Sequence, residues 1–69
     1  MKLSARNAIK GTVKTVVPGA VNTEIILEII PGVEVTAIIT KSSAEELKIS
    51  EGKIAYAVIK SSNVLIAVN

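Results

Sequence analysis

The sequence IITKSSAEE, residues 38–46, passes from a β-branched apolar run into a pattern typical of a helix start. Ser42 and Ser43 each stand three residues before a glutamate, which is the spacing of a capping box and predicts a short helix over about Ser43–Leu47. A strand that ends at Thr40 and leads into a helix start directs unpaired N–H groups and hydroxyls at one place, which favours an anion. The serines can equally serve only as caps, so this segment alone leaves the function open.

Before this segment, alternation of apolar and polar residues predicts β-strands over residues 8–17, 21–30 and 33–40. After it, residues 54–59 and 64–68 are apolar on both faces, which is typical of central or interface strands. Pro18-Gly19 and Pro31-Gly32 mark turns between the first three strands, and Gly11 inside the first strand indicates a bulge or sharp bend. Five strands with one short helix between the third and fourth predict an all-β, five-stranded, OB-like Greek-key barrel.

The small size of the chain points to association between copies. With 69 residues and no cysteine, the chain has a small core and no disulfide to stabilise it. Ile26, Ile30 and Ile38 fall on the otherwise polar faces of their strands, which indicates a sheet surface covered by another subunit. Scattered exposed apolar residues are also common in monomers. We therefore predict one domain over residues 1–69 that forms a homo-oligomer.

The composition argues against catalysis and favours binding. Histidine and cysteine are absent, so a serine nucleophile has no usual base, and neither phosphate-loop nor dinucleotide-binding glycine motifs occur. No apolar run has the length of a membrane span or a secretory signal, which predicts a cytoplasmic protein without a membrane partner. A net charge of +2 and a pI near 9.2 suit a small anion better than the dense basic surface of a nucleic-acid binder.

Three polar segments lie at strand ends and are candidates for an anion site. They are Ser4–Asn7, Thr40–Ser43 and Lys60–Ser61, and none contains an acid. Arg6, the only arginine, presents a fork of donors that suits oxyanions. A cation site would need carboxylate oxygens, whereas the same oxygens repel an oxyanion. Together the segments predict an oxyanion site, although Arg6 alone can be a solvated terminal residue and Lys60 a protective edge charge.

Seven short motifs are distributed along the chain between Ser4 and Ser61. They are SARN at 4–7, KGTV at 10–13, GAVNTE at 19–24, TAIIT at 36–40, SAEEL at 43–47, EG at 51–52 and IKS at 59–61. Together they closely resemble the molbindin (Mop) family of small molybdate-binding proteins, also called molybdenum-pterin-binding proteins. The same module is the TOBE domain of molybdate-responsive regulators and transporter ATPases. Members often carry glycine where this chain has Lys48, and some carry serine in place of Thr40.

The resemblance implies an OB-like barrel that assembles as a hexamer, a trimer of dimers. It implies molybdate or tungstate as the bound ligand, with no free metal cation, held at subunit interfaces for intracellular storage or homeostasis of molybdenum. By motif, one subunit contributes Ser4 and Arg6, and its neighbour contributes Thr40, Ser43, Lys60 and Ser61. Asn7 and Asn22 are candidates for a second site.

Three other functions fit parts of the sequence. A nucleic-acid-binding OB-like module would need aromatic side chains on which bases stack, and Tyr56 is the only aromatic residue, so we expect no nucleic-acid partner. Residues 43–58 have a Glu-Glu-Leu…Glu-Gly pattern found in swapped-hairpin DNA-binding domains, but the cluster of arginines expected there is missing. The third alternative is a subunit that only assembles and binds no oxyanion.

Overall fold

The fold is a single antiparallel sheet with one short helix. The computed structural model describes residues 1–69, with strands β1 (Asn7–Pro18), β2 (Asn22–Ile30), β3 (Val33–Thr40) and β4 (Ile54–Ile59), helix α1 (Lys41–Glu46) and a 3₁₀ turn at Ser61–Asn63. The strand order in the sheet is β3-β2-β1-β4. The predicted all-β, OB-like class and the position of the helix between the third and fourth strands are confirmed. No helix combines the length and apolar character needed to cross a bilayer.

The fifth strand, predicted over Val64–Val68, is not formed. This segment has no regular secondary structure, and Leu65 and Ile66 are 91% and 86% exposed. A strand is held by hydrogen bonds to a neighbouring strand, and this segment pairs with neither free edge of the sheet. The structure therefore has four strands, and the barrel stays open between β3 and β4.

The predicted bulge in β1 lies at Lys14 instead of Gly11. Lys14 falls between Val13 and Thr15, where the register to β2 shifts. Gly11 is buried, and a Cβ there would lie 2.7 Å from the backbone oxygen of Glu28. Glycine is therefore required at position 11 because β2 comes too close for a side chain, and the bend is made three residues later.

Lys14 joins two glutamates on the outer surface of the sheet. Its Nζ lies 2.5 Å from Oε2 of Glu34 and 3.8 Å from Oε2 of Glu28. The hydrogen bond to Glu34 is the main cause that raises the pKa of Lys14, followed by the attraction of the same carboxylate. Because these side chains remain largely in solvent, the pair links β1 to β3 across β2 without adding much stability.

The buried core is very small. Val13, Ile25 and Leu27 form its centre, and α1 contributes Ala44. Leu47, the residue directly after α1, is exposed. In total, six of the 69 residues are buried, too few for a comfortably stable isolated domain of this size.

The three isoleucines on the otherwise polar strand faces are only partly buried within one chain. Ile26 is half-buried, while Ile30 and Ile38 are each 59% exposed.

Helix α1 ends in a Schellman motif with lysine at the left-handed position. Lys48 has a φ of 54°, its N–H donates to the Glu45 carbonyl at 3.0 Å, and the Ile49 N–H donates to the Ala44 carbonyl at 3.0 Å. The Nζ of Lys53 donates to the Leu47 carbonyl at 2.6 Å. A lysine thus takes the conformation that usually belongs to glycine, supported by a second lysine that binds a terminal carbonyl.

We predict that Lys48→Gly stabilises the protein by about 0.5–1 kcal/mol. The left-handed conformation costs a residue with a Cβ about 1–2 kcal/mol, and the extra freedom of glycine in the unfolded chain offsets part of the gain. Urea denaturation at one fixed protein concentration measures the change. Lys48→Ala is the control, since it removes the charge but keeps the Cβ; an equal gain in Lys48→Ala would contradict the conformational explanation.

Candidate functional site

Four of the six predicted site residues line one open basin at an end of the sheet. The pairing of Asn7 with Ile59 brings the residues before β1 next to those after β4. The basin has a volume of about 730 Å³ and is lined by Ser4, Ala5, Arg6, Val58, Lys60, Ser61, Ser62 and Asn63. Ser4, Arg6, Lys60 and Ser61 are therefore brought together within one chain.

The basin carries two cations and no carboxylate. Neither Arg6 nor Lys60 forms an ion pair, since both ion pairs of the chain belong to Lys14. The serine side chains along the same wall supply hydroxyl donors. Unpaired guanidinium and ammonium groups beside hydroxyls form a donor set for an oxyanion, in which the arginine can bind two oxygens at once.

Thr40 and Ser43 form a second polar corner, at the start of α1. The Ser43 N–H donates to Oγ1 of Thr40 at 3.1 Å, and the Thr40 hydroxyl donates to Oγ of Ser43 at 2.7 Å. Oγ of Ser42 lies 3.3 Å from Oγ1 of Thr40. Because Thr40 gives its only hydroxyl hydrogen to Ser43, the hydroxyl hydrogen of Ser43 remains free to bind a ligand.

The helix cap lies earlier in the chain than the sequence predicts. The cap is Thr40, not Ser42 or Ser43, and the helix covers Lys41–Glu46 instead of Ser43–Leu47. Pairing with Asn22 holds Thr40 in an extended conformation, with φ −67° and ψ 151°, so the next residue is already helical. The third helical position is then a serine instead of a glutamate, and the predicted capping box does not form.

The basin and the Thr40–Ser43 corner lie at opposite ends of β1. β1 and β2 are antiparallel, so the start of β1 beside the basin is remote from the start of β2, where Asn22 pairs with Thr40. Along the length of β1, at about 3.3 Å per residue, the separation is on the order of 30 Å. One chain cannot place both groups around one small ion. Lys60 and Ser61 thus lie with Ser4 and Arg6 instead of with Thr40 and Ser43.

The two residues suggested for a second site are also separated within the chain. Asn7 is the first residue of β1 and lies beside the basin, opposite Ile59. Asn22 is the first residue of β2 and lies opposite Thr40. They can share a site only if two chains bring the different corners together.

Ser62 and Asn63 line the basin but were not among the predicted site residues. They belong to the 3₁₀ turn that follows β4, in which the Asn63 N–H donates to the Lys60 carbonyl at 2.8 Å. The polar run Lys60-Ser61-Ser62-Asn63 was the signal in the sequence, because a tight turn keeps all four residues at the same end of the sheet.

Comparison with known proteins identifies the family of the chain. Residues 3–66 match the TOBE domain. The chain belongs to the TOBE family. Molybdenum-pterin-binding protein 3 of Clostridium pasteurianum is 48% identical to this TOBE chain over 66 residues, which cover 96% of the chain and 97% of that protein. The predicted resemblance is thereby confirmed.

Two solved structures show the same fold. MopII from Clostridium pasteurianum superimposes with a TM-score of 0.90 at 43% identity, covering 97% of this chain and 100% of MopII. ModG, described as a cytoplasmic molybdate-binding protein and solved with molybdate bound, has a TM-score of 0.88 at 49% identity, covering 94% of this chain and 46% of ModG.

We predict that Thr40→Val lowers the free energy of unfolding by about 1 kcal/mol, while Thr40→Ser changes it little. Valine keeps the shape of threonine but cannot accept the hydrogen bond from the Ser43 N–H, and loss of a cap costs about 0.5–2 kcal/mol. Urea denaturation of the two variants at equal protein concentration measures the difference. If both variants lost the same stability, the threonine methyl group and not its hydroxyl would be the stabilising part.

Proposed function

We propose that this TOBE chain binds molybdate or tungstate, for storage or homeostasis of molybdenum in the cytoplasm. The main supporting observation is that Arg6 and Lys60, both without a carboxylate partner, line one basin together with serine hydroxyls and no acidic residue. The molybdate bound to ModG, at 49% identity to this chain, supports the choice of ligand. Residues 1–69 form one binding domain in this proposed function.

The charge of the basin matches a tetrahedral dianion. Two cations balance two negative charges, and the hydroxyls of Ser4 and Ser61 add directional hydrogen bonds to the oxygens. We propose binding without catalysis, because no carboxylate or imidazole lines the basin to act as a base for the serines.

The site is completed by a neighbouring subunit in the proposed assembly. The basin is open to solvent, and the Thr40–Ser43 corner lies too far away in the same chain to close it. A neighbour's corner placed over the basin adds the free hydroxyl of Ser43 and the N–H of Ser42, since the N–H groups of Lys41 and Ser43 already donate to the Val21 carbonyl and to Oγ1 of Thr40. The assembly expected from the family resemblance is a hexamer, a trimer of dimers, in which Asn7 and Asn22 of different chains can also meet.

The alternative function, nucleic-acid binding, has less support. The only aromatic side chain, Tyr56, lines the apolar groove between β3 and β4 and not the basic basin. Bases entering the basin would therefore find cations but no ring on which to stack. Fluorescence anisotropy with a short single strand tests this alternative, and we expect no binding at physiological salt.

We predict that Arg6→Gln and Lys60→Gln each weaken molybdate binding roughly 10- to 100-fold. Each removes a charged hydrogen bond worth about 1.5–3 kcal/mol. Isothermal titration calorimetry with molybdate, tungstate and sulfate measures the affinities. Molybdate and tungstate should bind alike, and sulfate more weakly, because the smaller ion leaves buried donors unpaired at about 1–3 kcal/mol each.

Lys10→Gln is the matched control for these variants. Lys10 is an exposed lysine of β1 outside the basin, so its loss changes the net charge equally but removes no ligand contact. If Lys10→Gln weakened molybdate binding as much as Lys60→Gln, general electrostatics instead of the basin would account for binding. Equal affinity for sulfate would contradict the proposed selectivity.

A further inference from the structure

The backbone of Lys53 is tied to the core of the sheet. Its carbonyl accepts a hydrogen bond from the Val13 N–H at 2.9 Å, and the neighbouring Gly52 N–H donates to the Val13 carbonyl at 2.8 Å. Val13 belongs to the centre of the core and is 1% exposed. Lys53 is therefore held at a fixed place beside β1, although its side chain is in solvent.

The side chain of Lys53 reaches from this anchor back to the end of α1. Its Nζ donates to the Leu47 carbonyl at 2.6 Å and to the Lys48 carbonyl at 3.3 Å. The end of a helix leaves its last carbonyls without partners inside the helix, and a lysine ammonium can supply the missing donor. One side chain thus joins the end of the helix to the core.

Three hydrogen bonds in series connect Lys53 with the Thr40–Ser43 corner. Lys53 binds the Leu47 carbonyl, and the Leu47 N–H donates to the Ser43 carbonyl at 2.9 Å. The Ser43 N–H in turn donates to Oγ1 of Thr40 at 3.1 Å. Because α1 has only six residues, the residue that Lys53 holds is bonded directly to the residue that carries the free hydroxyl.

Few other contacts fix the direction of α1. Ala44 is its only buried residue, and Leu47 is 58% exposed. A helix of this length takes its stability and its position from tertiary contacts instead of from its own hydrogen bonds. Pairing of Thr40 with Asn22 fixes where the helix begins, so its direction depends on what holds its other end.

We propose that Lys53 is a positioning residue for the oxyanion site. Its ammonium holds the end of α1 and thereby places the hydroxyl of Ser43 that the corner offers to a ligand. Lys53 does not line the basin, so it acts on a bound ion only through the helix. This role rests on the proposed function, because the corner meets a ligand only in the proposed assembly.

The contribution of Lys53 is coupled to the lysine at position 48. Lys48 has a φ of 54°, a left-handed conformation that is unfavourable for a residue with a Cβ, and its carbonyl is one of the two that Lys53 binds. The ammonium of Lys53 thus helps to hold a conformation that glycine would adopt without strain. Loss of Lys53 should therefore matter less when position 48 is glycine.

Isothermal titration calorimetry with molybdate tests the positioning role. Lys53→Met keeps the unbranched stem that lines the apolar groove but has no N–H, and it should weaken binding roughly 3- to 10-fold. Lys53→Arg keeps a cationic donor and should bind with nearly the wild-type affinity. Lys10→Met removes the same charge from an exposed position of β1 and should not change the affinity. Binding by Lys53→Met as tight as that of the wild type, or equal weakening in Lys10→Met, would overturn the role.

A second substitution separates positioning from the loss of positive charge. The double variant Lys48→Gly/Lys53→Met should recover part of the affinity that Lys53→Met loses, because glycine removes the strain at the end of the helix. The double variant has two cations fewer than the wild type, so general electrostatics predicts still weaker binding. No recovery would contradict the coupling of the two lysines.

Amide hydrogen exchange measured by NMR in buffer without oxyanions shows whether the effect is local. Lys53→Met should speed exchange of the Ser43 amide several-fold and leave that of Leu27, in the core of the sheet, unchanged. Equal acceleration at both amides, or an unfolded Lys53→Met chain, would show a general role in stability and overturn positioning.

The ligand and the positioning role can fail separately. A wild-type chain that binds no molybdate would refute the proposed function, and the exchange of the Ser43 amide would still decide whether Lys53 holds the corner. A wild-type chain that binds molybdate, together with a Lys53→Met variant of equal affinity and unchanged exchange at Ser43, would refute only the positioning role.

Discussion

The gap between β3 and β4 is the constraint on which the rest of the structure depends. A five-stranded barrel needs a strand there to bury its apolar interior and to satisfy two free edges, and the four strands of this sheet do not supply it. The chain has no disulfide, so its stability must come from burial. With a core centred on Val13, Ile25 and Leu27, burial inside one chain is limited, which makes association a condition of folding under the proposed arrangement.

The polar groups of the candidate site are divided between the two ends of the sheet. Arg6 and Lys60 lie where β1 begins and β4 ends, and the Thr40–Ser43 corner lies at the far end of the sheet. Neither group encloses a ligand alone. In the proposed assembly, the contacts that complete the core can also complete a binding site, without lengthening the chain.

The sequence predicted the parts of the fold that depend on local pattern. Strands β1 to β3 follow from period-two alternation, β4 follows from a short run that is apolar on both faces, and the helix follows from the serines and glutamates after Thr40. The errors arose where a tertiary contact determines the local structure. The backbone of Glu28 lies too close to Gly11 for a side chain, so glycine there does not mark the bulge, and pairing of Thr40 with Asn22 makes Thr40 the helix cap. The strand predicted at Val64–Val68 is not formed, because a strand also needs a neighbouring edge with which to pair, which the composition of the segment cannot reveal.

For the candidate site too, the sequence predicted what depends on local pattern but not what depends on strand order. Polar runs at the ends of apolar strands predicted the residues that line the basin. Which runs meet depends on strand order, so the sequence could not show that Lys60 lies beside Arg6 and far from Thr40. An open basin leaves both cations in water, where their attraction for an anion is weak; a neighbour that excludes water strengthens the same charges several-fold. Under the proposed function, ligand binding and assembly therefore stabilise each other, because an ion held only by the associated form shifts the equilibrium toward it.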